Sequence, residues 1–325
     1  MAAGWSMPAE HAPHERTLMA WPCRAELWED DLAAAKVEYA GVANAVLAFE
    51  DLTMVCASPA DAAEARAALD ARAEVIELPL DDSWLRDHGP VYVTDGAGAR
   101  RAVSFGFNAW GEKFSPYDKD AAVGALLGAH TGDDVVRAPF VLEGGSIAVD
   151  GTGTLVTTEQ CLLHPNRNPS LSRGEIEDGL RTYLGVERIV WLGLGLVEDR
   201  DTDGHVDLIA AFTEDGALLL QQRPPGDPDH EAMAANRERA VAAGLRVVDF
   251  APLARVDGVT ASYLNLYVAD GVVVVPTAGD AEQDEAALIA VAAAYPSREV
   301  IGVPALTVAA GGGGPHCITQ QVPLS

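Results

Sequence analysis

The sequence predicts an α/β fold made of five repeated units that pack into a closed array. Two observations carry this reading. Four Asp-Gly pairs, Asp95-Gly96, Asp150-Gly151, Asp215-Gly216 and Asp270-Gly271, are spaced 55, 65 and 55 residues apart. Each sits between two β-rich runs, the strongest short-range signal for a hairpin. Each hairpin is then followed by a helix-like segment and a further apolar run. A unit of this size cannot bury its own apolar face and does so against its neighbours. The competing reading is an open α/β sheet in which the turn spacing is accidental.

The hairpin runs are VYVT and RAVSF, SIAV and TLVTT, LIAAF and ALLLQQ, LNLYVA and VVVVPT. The helical candidates that follow them are SPYDKDAAVGALLGAH, NPSLSRGEIEDGLRTYL, DPDHEAMAANRERAVAAG and GDAEQDEAALIAVAAAY. Each opens with Ser, Asp or Asn near a proline or an acid, as helix starts do. The closing strands are VVRAPFV, RIVWLGL, RVVDF and EVIGV. An incomplete first copy is read from strand LTMVCAS, helix PADAAEARAALDAR and strand EVIELPL. No low-complexity linker divides residues 1–325, so a single domain is expected.

The charge balance narrows the partners. Lys and Arg total 22 against 49 Asp and Glu, a formal charge of -27. Such a surface repels a phosphate backbone or an anionic membrane, so neither nucleic acid nor membrane is an expected partner. A small cationic substrate is permitted, although simple solubility explains the same balance. The N-terminus lacks the basic start and apolar run of a signal peptide, and no stretch is apolar for the length of a membrane span, so a cytoplasmic protein is expected. Cys23, Cys56, Cys161 and Cys317 form no C-x-x-C pair, which argues against a disulfide framework and against a zinc site. No metal or organic cofactor is implied. A homo-oligomer is left open.

The polar clusters fall at one place in each unit, after its last strand and before the next hairpin. In a closed ring those loops converge on the axis. DDSWLRDHGP carries Asp81, Asp82, Trp84, Arg86 and Asp87; LEGGS carries Glu143; VEDRDTDGHVD carries Asp203, His205 and Asp207; AAGGGGPHCITQQ carries Cys317. Gly311 to Gly314 let the chain bend just before Cys317, which places that thiol on a loop. Cys23, Cys56 and Cys161 read as inert buried cysteines. The Gly run lacks the Lys-Ser/Thr ending of a P-loop. His316 adjoins Cys317, and in extended backbone adjacent side chains point apart, so a base from another loop fits better. His205 and Asp207, two apart at the start of the strand-like HVDLIAAF, share one face. A surface ion pair or a calcium loop is the bland alternative for this acidic segment, but its spacing lacks the terminal Glu of a twelve-residue calcium loop.

A cysteine with a histidine from elsewhere in the chain is the arrangement of nucleophilic catalysis at carbon. Three carboxylates around one thiol, Asp87, Glu143 and Asp207, leave excess negative charge unless the ligand is a cation. A planar guanidinium, with N–H donors arranged in forks, satisfies carboxylates bidentately.

Seven segments, from MPAEHAPHERTLMAWP through DDSWLRDHGP, FNAWGEKFSPYDKD, LEGGSIAVDGTGTLVTTEQCLLHPNRNPSLS, DTDGHVD and ASYLNLYVADGVVVVP to GGGGPHCITQQ, resemble in order those of the agmatine deiminase family. That family belongs to the guanidine-modifying superfamily, related to bacterial peptidyl-arginine deiminases. The resemblance implies the pentein fold, a five-bladed pseudo-symmetric α/β propeller. It also implies Cys317 as nucleophile, His205 as general acid and base, Asp87 and Asp207 as the guanidinium-binding pair, and Glu143 as a further carboxylate that helps hold His205 and the substrate. Trp84 and Trp110 match aromatic positions near the ligand, and Asp203 is the remaining substrate-binding candidate. The implied reaction converts agmatine and water to N-carbamoylputrescine and ammonia. Arginine, peptidyl-arginine and other guanidino compounds stay open as substrates, with an amidinotransferase or a silent polyamine-binding module as rival functions.

Overall fold

The structure, a computed structural model, describes residues 4–325. All four Asp-Gly pairs form the turns their chemistry favours. Gly96, Gly151, Gly216 and Gly271 have φ between +67° and +78°, the left-handed region that glycine enters without a Cβ penalty. The preceding acid fastens the first two turns. Asp95 Oδ1 accepts from the backbone N–H of Ala97 and Ala99 at 2.8 and 2.9 Å, and Asp150 Oδ1 accepts from Thr152 and Thr154, both at 2.8 Å.

The strands, in chain order, are β1 (His14–Ala20), β2 (Leu52–Cys56), β3 (Glu74–Glu77), β4 (Val91–Thr94), β5 (Arg100–Gly106), β6 (Asp134–Val141), β7 (Ile147–Val149), β8 (Thr154–Thr158) and β9 (Arg188–Leu192). They continue with β10 (Ala210–Phe212), β11 (Leu218–Gln221), β12 (Val247–Phe250), β13 (Ala254–Val256), β14 (Val259–Ala261), β15 (Tyr267–Ala269), β16 (Val272–Thr277), β17 (Glu299–Pro304) and β18 (Thr319–Pro323). Four sheets repeat one plan: an antiparallel hairpin, a helix, and a third strand parallel to the second. These are β4-β5-β6, β7-β8-β9, β10-β11-β12 and β15-β16-β17. Their crossover helices are Asp120–His130, Arg173–Leu184, His230–Ala242 and Ala281–Ala294. Two of the four helices carry the expected caps: Ser172 and Glu175 form a reciprocal capping box, and Asp280 accepts from Gln283 N, whereas Asp120–His130 and His230–Ala242 start without a side-chain cap. Strands β13 and β14 form a separate small hairpin.

The fifth sheet corrects the expected first unit. Its hairpin is made by the two ends of the chain, with β18 antiparallel to β1, and its crossover helix is Leu32–Leu47, leading to β2 parallel to β1. LTMVC is therefore the last strand of this unit. The helix Pro59–Ala68 and β3 are an addition at its outer edge. No turn sequence joins β18 to β1, which is why the turns alone could not reveal the pairing.

Contacts between units run around a complete circle. Arg86 N donates to Cys317 O at 3.1 Å and Gly145 N to Asp87 Oδ1 at 2.9 Å. Thr158 Oγ1 donates to Gly204 O at 2.6 Å, Asn265 Nδ2 to Asp207 O at 3.5 Å, and His316 N to Asn265 O at 3.2 Å. The fold is thus the expected five-bladed α/β propeller. Among the described residues the apolar core forms five clusters rather than one. No helix among them is long and apolar enough to cross a membrane.

Because β18 closes the circle, its buried Val322, clustered with Leu18, Tyr92 and Leu127, ties the last strand to β1 and to the β4-β5-β6 unit. Val322→Ala should destabilise the whole chain by about 2 kcal/mol, a core truncation in a site with little room to relax. A thermal melt will read this as a single transition lowered by a few degrees; an unchanged midpoint would contradict the closure role.

Candidate active site

Each blade begins with a loop at the axis, and these five loops bring the chemistry together. Cys317 precedes β18 by one residue and is 3 % exposed. Its Sγ lies 3.4 Å from Asp207 Oδ2 and 3.1 Å from Asn265 Nδ2, while its N–H donates to Asn265 Oδ1 at 3.2 Å. The glycine run before it is needed for room as much as for bending. Of the four, only Gly312 has a left-handed φ, +107°. A Cβ on Gly313 would stand 2.6 Å from the Trp84 ring and 2.9 Å from Cys317 Sγ, and one on Gly314 would stand 2.8 Å from Asn265 Oδ1.

His205 and Asp207 do share a face, though not by strand alternation: Val206–Leu208 is a single 3-10 turn and β10 starts only at Ala210. They meet Asp87 around Gly145. A Cβ there would lie 2.6 Å from His205 Nδ1, 2.8 Å from Asp207 Oδ2 and 2.9 Å from Asp87 Oδ1. The absent side chain is the space in which these three groups converge.

The carboxylates are held differently. Asp87 accepts from Gly145 N at 2.9 Å on Oδ1 and from Trp110 Nε1 at 2.8 Å on Oδ2. Glu143 is fully buried; Oε1 accepts from Arg167 Nε at 2.5 Å and Oε2 has no partner. Asp207 Oδ2 accepts from His316 Nδ1 at 2.8 Å, and Oδ1 has no partner. Both ring nitrogens of buried His205 are unpartnered, with Nδ1 3.8 Å from Asp87 Oδ1.

Burial sets the electrostatics. It raises Asp87 above the usual carboxylate range, with His205 opposing and the charges of Asp207 and Glu143 adding to the rise. Asp207 is just as buried, yet hydrogen bonding and charge from His316 hold it below that range. Burial, then the charges of Asp207 and Asp87, push the Cys317 thiol well above its ordinary value.

A cavity with about 340 Å³ of empty space opens over Cys317, walled by Trp84, Asp87, Trp110, Phe114, Asp201 and Thr202 among others. Trp84 is stacked on Trp28 with centroids 5.7 Å apart, and Trp110 turns its N–H onto Asp87. Asp203 is not on this wall. Its carboxylate binds Lys113 Nζ at 2.7 Å, Arg167 Nη1 at 2.7 Å and Asn166 Nδ2 at 3.0 Å, fastening the loop that carries His205. The acid facing the cavity from that loop is Asp201, two residues earlier, which has no ion pair.

Asn265, Arg167 and Asp201 were not singled out from the sequence. Asn265 occupies the fifth axial loop, inside ASYLNLY, where its β-rich neighbours masked it. The rule that each hairpin is preceded by an axial loop would have found it. Arg167 comes from the loop after β8 and is visible only once its pairing with Glu143 is seen.

Two groups of donors lie close enough to hold a metal ion, Glu143, Cys161 and His205, and His14, Glu50 and Asp270. In the first, Arg167 already neutralises Glu143. In the second, Glu50 is taken by Thr17, His14 and the N–H of Asp270, which leaves no spare donor capacity for an ion.

A thiol, an imidazole and three carboxylates on the axis of an α/β propeller belong to the class of cysteine-dependent enzymes that act on guanidinium groups. Within that class, the chain belongs to the Porphyromonas-type peptidyl-arginine deiminase family, which matches residues 6–323. It is 40% identical to the agmatine deiminase of Stutzerimonas stutzeri (98% of this chain, 96% of the relative) and 39% identical to that of Pseudomonas aeruginosa (99% and 96%). The agmatine deiminase of Enterococcus faecalis superposes with TM-score 0.93 at 34% identity, over 99% of this chain and 96% of its own. A cysteine-to-serine variant of the C. jejuni agmatine deiminase, solved with substrate bound, superposes with TM-score 0.90 at 25% identity, over 98% and 96%.

Gly145→Ala tests the shared space at the axis. The methyl group would displace groups whose placement matters to within an ångström, so turnover should fall by about 100-fold. The melting temperature should fall by a few degrees as well, because the methyl overpacks a buried site, while the chain stays folded. Wild-type turnover would show that the three groups do not act together.

Proposed function

We propose that this chain is a hydrolytic deiminase of small guanidinium compounds, acting on agmatine to give N-carbamoylputrescine and ammonia. The observation that carries the reading is the pair of buried, unpartnered carboxylate oxygens, Asp207 Oδ1 on the acid that meets Cys317 and Glu143 Oε2 on the acid that lies near His205. Buried acceptors without donors need a ligand that brings several N–H groups and a positive charge. The relatives' names favour agmatine, and four cysteines with no disulfide among them suit a single catalytic domain in the reducing cytoplasm.

The residues divide the work as follows. Asp87 and Asp207 hold the guanidinium plane, Glu143 takes a further N–H, and Cys317 gives up its proton to His205 as Sγ attacks the central carbon. The tetrahedral adduct collapses as His205 protonates the departing nitrogen, which leaves as ammonia. An amidino group then remains on sulfur. His205 next takes a proton from water, whose oxygen adds to the same carbon, and the C–S bond breaks to release the urea-type product and restore the thiol. Asn265 Nδ2 supports the charge on sulfur each time the thiolate forms.

Asp201 is suited to the distal ammonium of agmatine. It faces the cavity without an ion pair, and the same charge repels the α-carboxylate that distinguishes arginine from agmatine. Asp201→Asn should raise KM for agmatine by up to about fivefold, the value of one exposed charge contact, with kcat nearly unchanged.

The deciding experiment is ammonia release from agmatine, arginine and a blocked arginine peptide. Fast release from agmatine alone supports the reading, and silence across the panel overturns it. Cys317→Ser should bind agmatine and release no ammonia. Because nearby acids hold the thiol up in the empty site, a guanidinium ligand should lower its pKa, read by thiolate absorbance against Cys317→Ser. An unchanged pKa would exclude ionisation assisted by substrate.

A further inference from the structure

Next to Asp207 lies a second set of charges, buried apart from the partly exposed Glu10, that the reaction above does not use. His316 is 4 % exposed, and both its ring nitrogens face carboxylates: Nδ1 lies 2.8 Å from Asp207 Oδ2 and Nε2 lies 2.7 Å from Glu10 Oε1. An imidazole bonded to two carboxylate oxygens must carry two N–H groups, so it is an imidazolium. Glu10 in turn lies 3.7 Å from Arg86 Nη1, and the His14 ring meets its backbone carbonyl at 2.8 Å. Arg86 is fixed by Gln321 Oε1 at 2.7 Å and by the carbonyl of His316 at 3.2 Å. Charge therefore alternates along a line: Arg86, Glu10, His316, Asp207. Glu10, His316 and Asp207 border a separate cavity, lined also by Ile147, Phe212 and Leu266.

We propose that Glu10 and His316 are positioning residues for the reaction: the His316 imidazolium clamps Asp207 Oδ2, and Glu10 keeps that clamp charged, so that Asp207 Oδ1 is presented as an anion to the guanidinium. Neither touches the substrate. The arrangement explains why one oxygen of Asp207 is bound and the other bare. Glu143 follows the same plan, with Arg167 on Oε1 and Oε2 free. The electrostatics agree with the geometry. Burial and Arg86 push His316 down, but Glu10 and Asp207 outweigh them and hold it above the ordinary histidine value. Burial alone would raise Glu10; His316, Arg86 and His14 outweigh it and hold it at about 2.

The inference rests on the deiminase reading, and Glu10→Gln separates the two. The change keeps shape, since the amide of glutamine can donate to Nε2 of a neutral His316 whose Nδ1–H still reaches Asp207; only the charge is lost. His316 then faces burial and Arg86 with one carboxylate fewer, so it deprotonates at lower pH. In the full chain with ¹³C-labelled histidine, the His316 signal, assigned by its loss in His316→Gln, should stay flat from about pH 6 to 8.5 in the wild type and titrate in Glu10→Gln. The Kd of guanidinium chloride and KM for agmatine should rise with pH in Glu10→Gln, by about tenfold at pH 8, while kcat stays within a few-fold. Glu10→Asp should restore the wild-type profile, and His316→Gln should weaken binding at every pH. A His316 signal that titrates alike in both proteins, or a loss in Glu10→Gln that is uniform with pH, would overturn the relay and leave a merely structural contact. Wild-type protein that releases no ammonia from agmatine would instead refute the deiminase reading, and the histidine titration and guanidinium affinity would still decide the relay.

Discussion

Three buried carboxylates around one thiol are the constraint on which this site depends. Two unit charges 4 Å apart repel by about 4 kcal/mol at the effective dielectric of a partly hydrated protein, and burial adds its own penalty for each. The fold meets this with cations supplied from outside the catalytic set. Arg167 neutralises Glu143, and His316 neutralises Asp207. Asp87 has no cation of its own beyond His205 at 3.8 Å, and it is the carboxylate whose pKa is raised. One negative charge is thus left at the axis for the guanidinium end of a substrate to balance.

Convergence of this kind requires backbone to stand where side chains normally would. Gly145 leaves the axis open for Asp87, His205 and Asp207, and Gly313 and Gly314 bring the Cys317 loop against Trp84 and Asn265. A Cβ on Gly144 would lie 2.2 Å from the carbonyl of Arg86, so the neighbouring glycine lets two axial loops touch. These loops come from five different blades, and each is fixed by the hairpin it precedes. Cys317 has the strongest dependence on the global fold: one residue separates it from the strand that closes the ring against β1. Loss of that pairing would remove the nucleophile and open the propeller in one event.

Four blades were legible in the sequence because each carries its own hairpin with an Asp-Gly turn, a local code written into two adjacent residues. The fifth blade was read out of register because its hairpin joins residues about 300 positions apart and no turn chemistry records a pairing of chain ends. Of the site, the residues that bear the reaction's functional groups stood out, since Cys, His, Asp and Glu clustered in loops have few structural uses. Their supports did not. Glu10 and Arg167 look like ordinary charged residues until their burial and partners are known. Asp203 shows the reverse error: an acid beside the catalytic histidine reads as a ligand contact, yet it serves Lys113 and Arg167. His316 was set aside as a base because its side chain should point away from that of Cys317. The backbone there is a turn rather than extended, and both side chains meet the same oxygen, Asp207 Oδ2, His316 Nδ1 at 2.8 Å and Cys317 Sγ at 3.4 Å.

Asp87 and Asp207, alike in type and burial, end on opposite sides of their ordinary range, and the difference has a use in the proposed reaction. Asp207 is a fixed anion, so some affinity for a cation exists at any working pH. Asp87 and the Cys317 thiol are both held toward their protonated forms by burial and by the charge of Asp207. A guanidinium arriving between them cancels that charge and favours loss of a proton from each. On the proposed reaction, the nucleophile is generated by occupancy. In the empty site the thiol stays neutral and donates to Asp207, which also protects it, because oxidation and alkylation follow the thiolate. An ammonium lacks the forked donors that Asp207 Oδ1 and Glu143 Oε2 require, so a simple polyamine would cancel the charge without satisfying the acceptors. Charge alone thus admits cations to the cavity, and the geometry of the bare oxygens decides which of them turn the thiol into a thiolate.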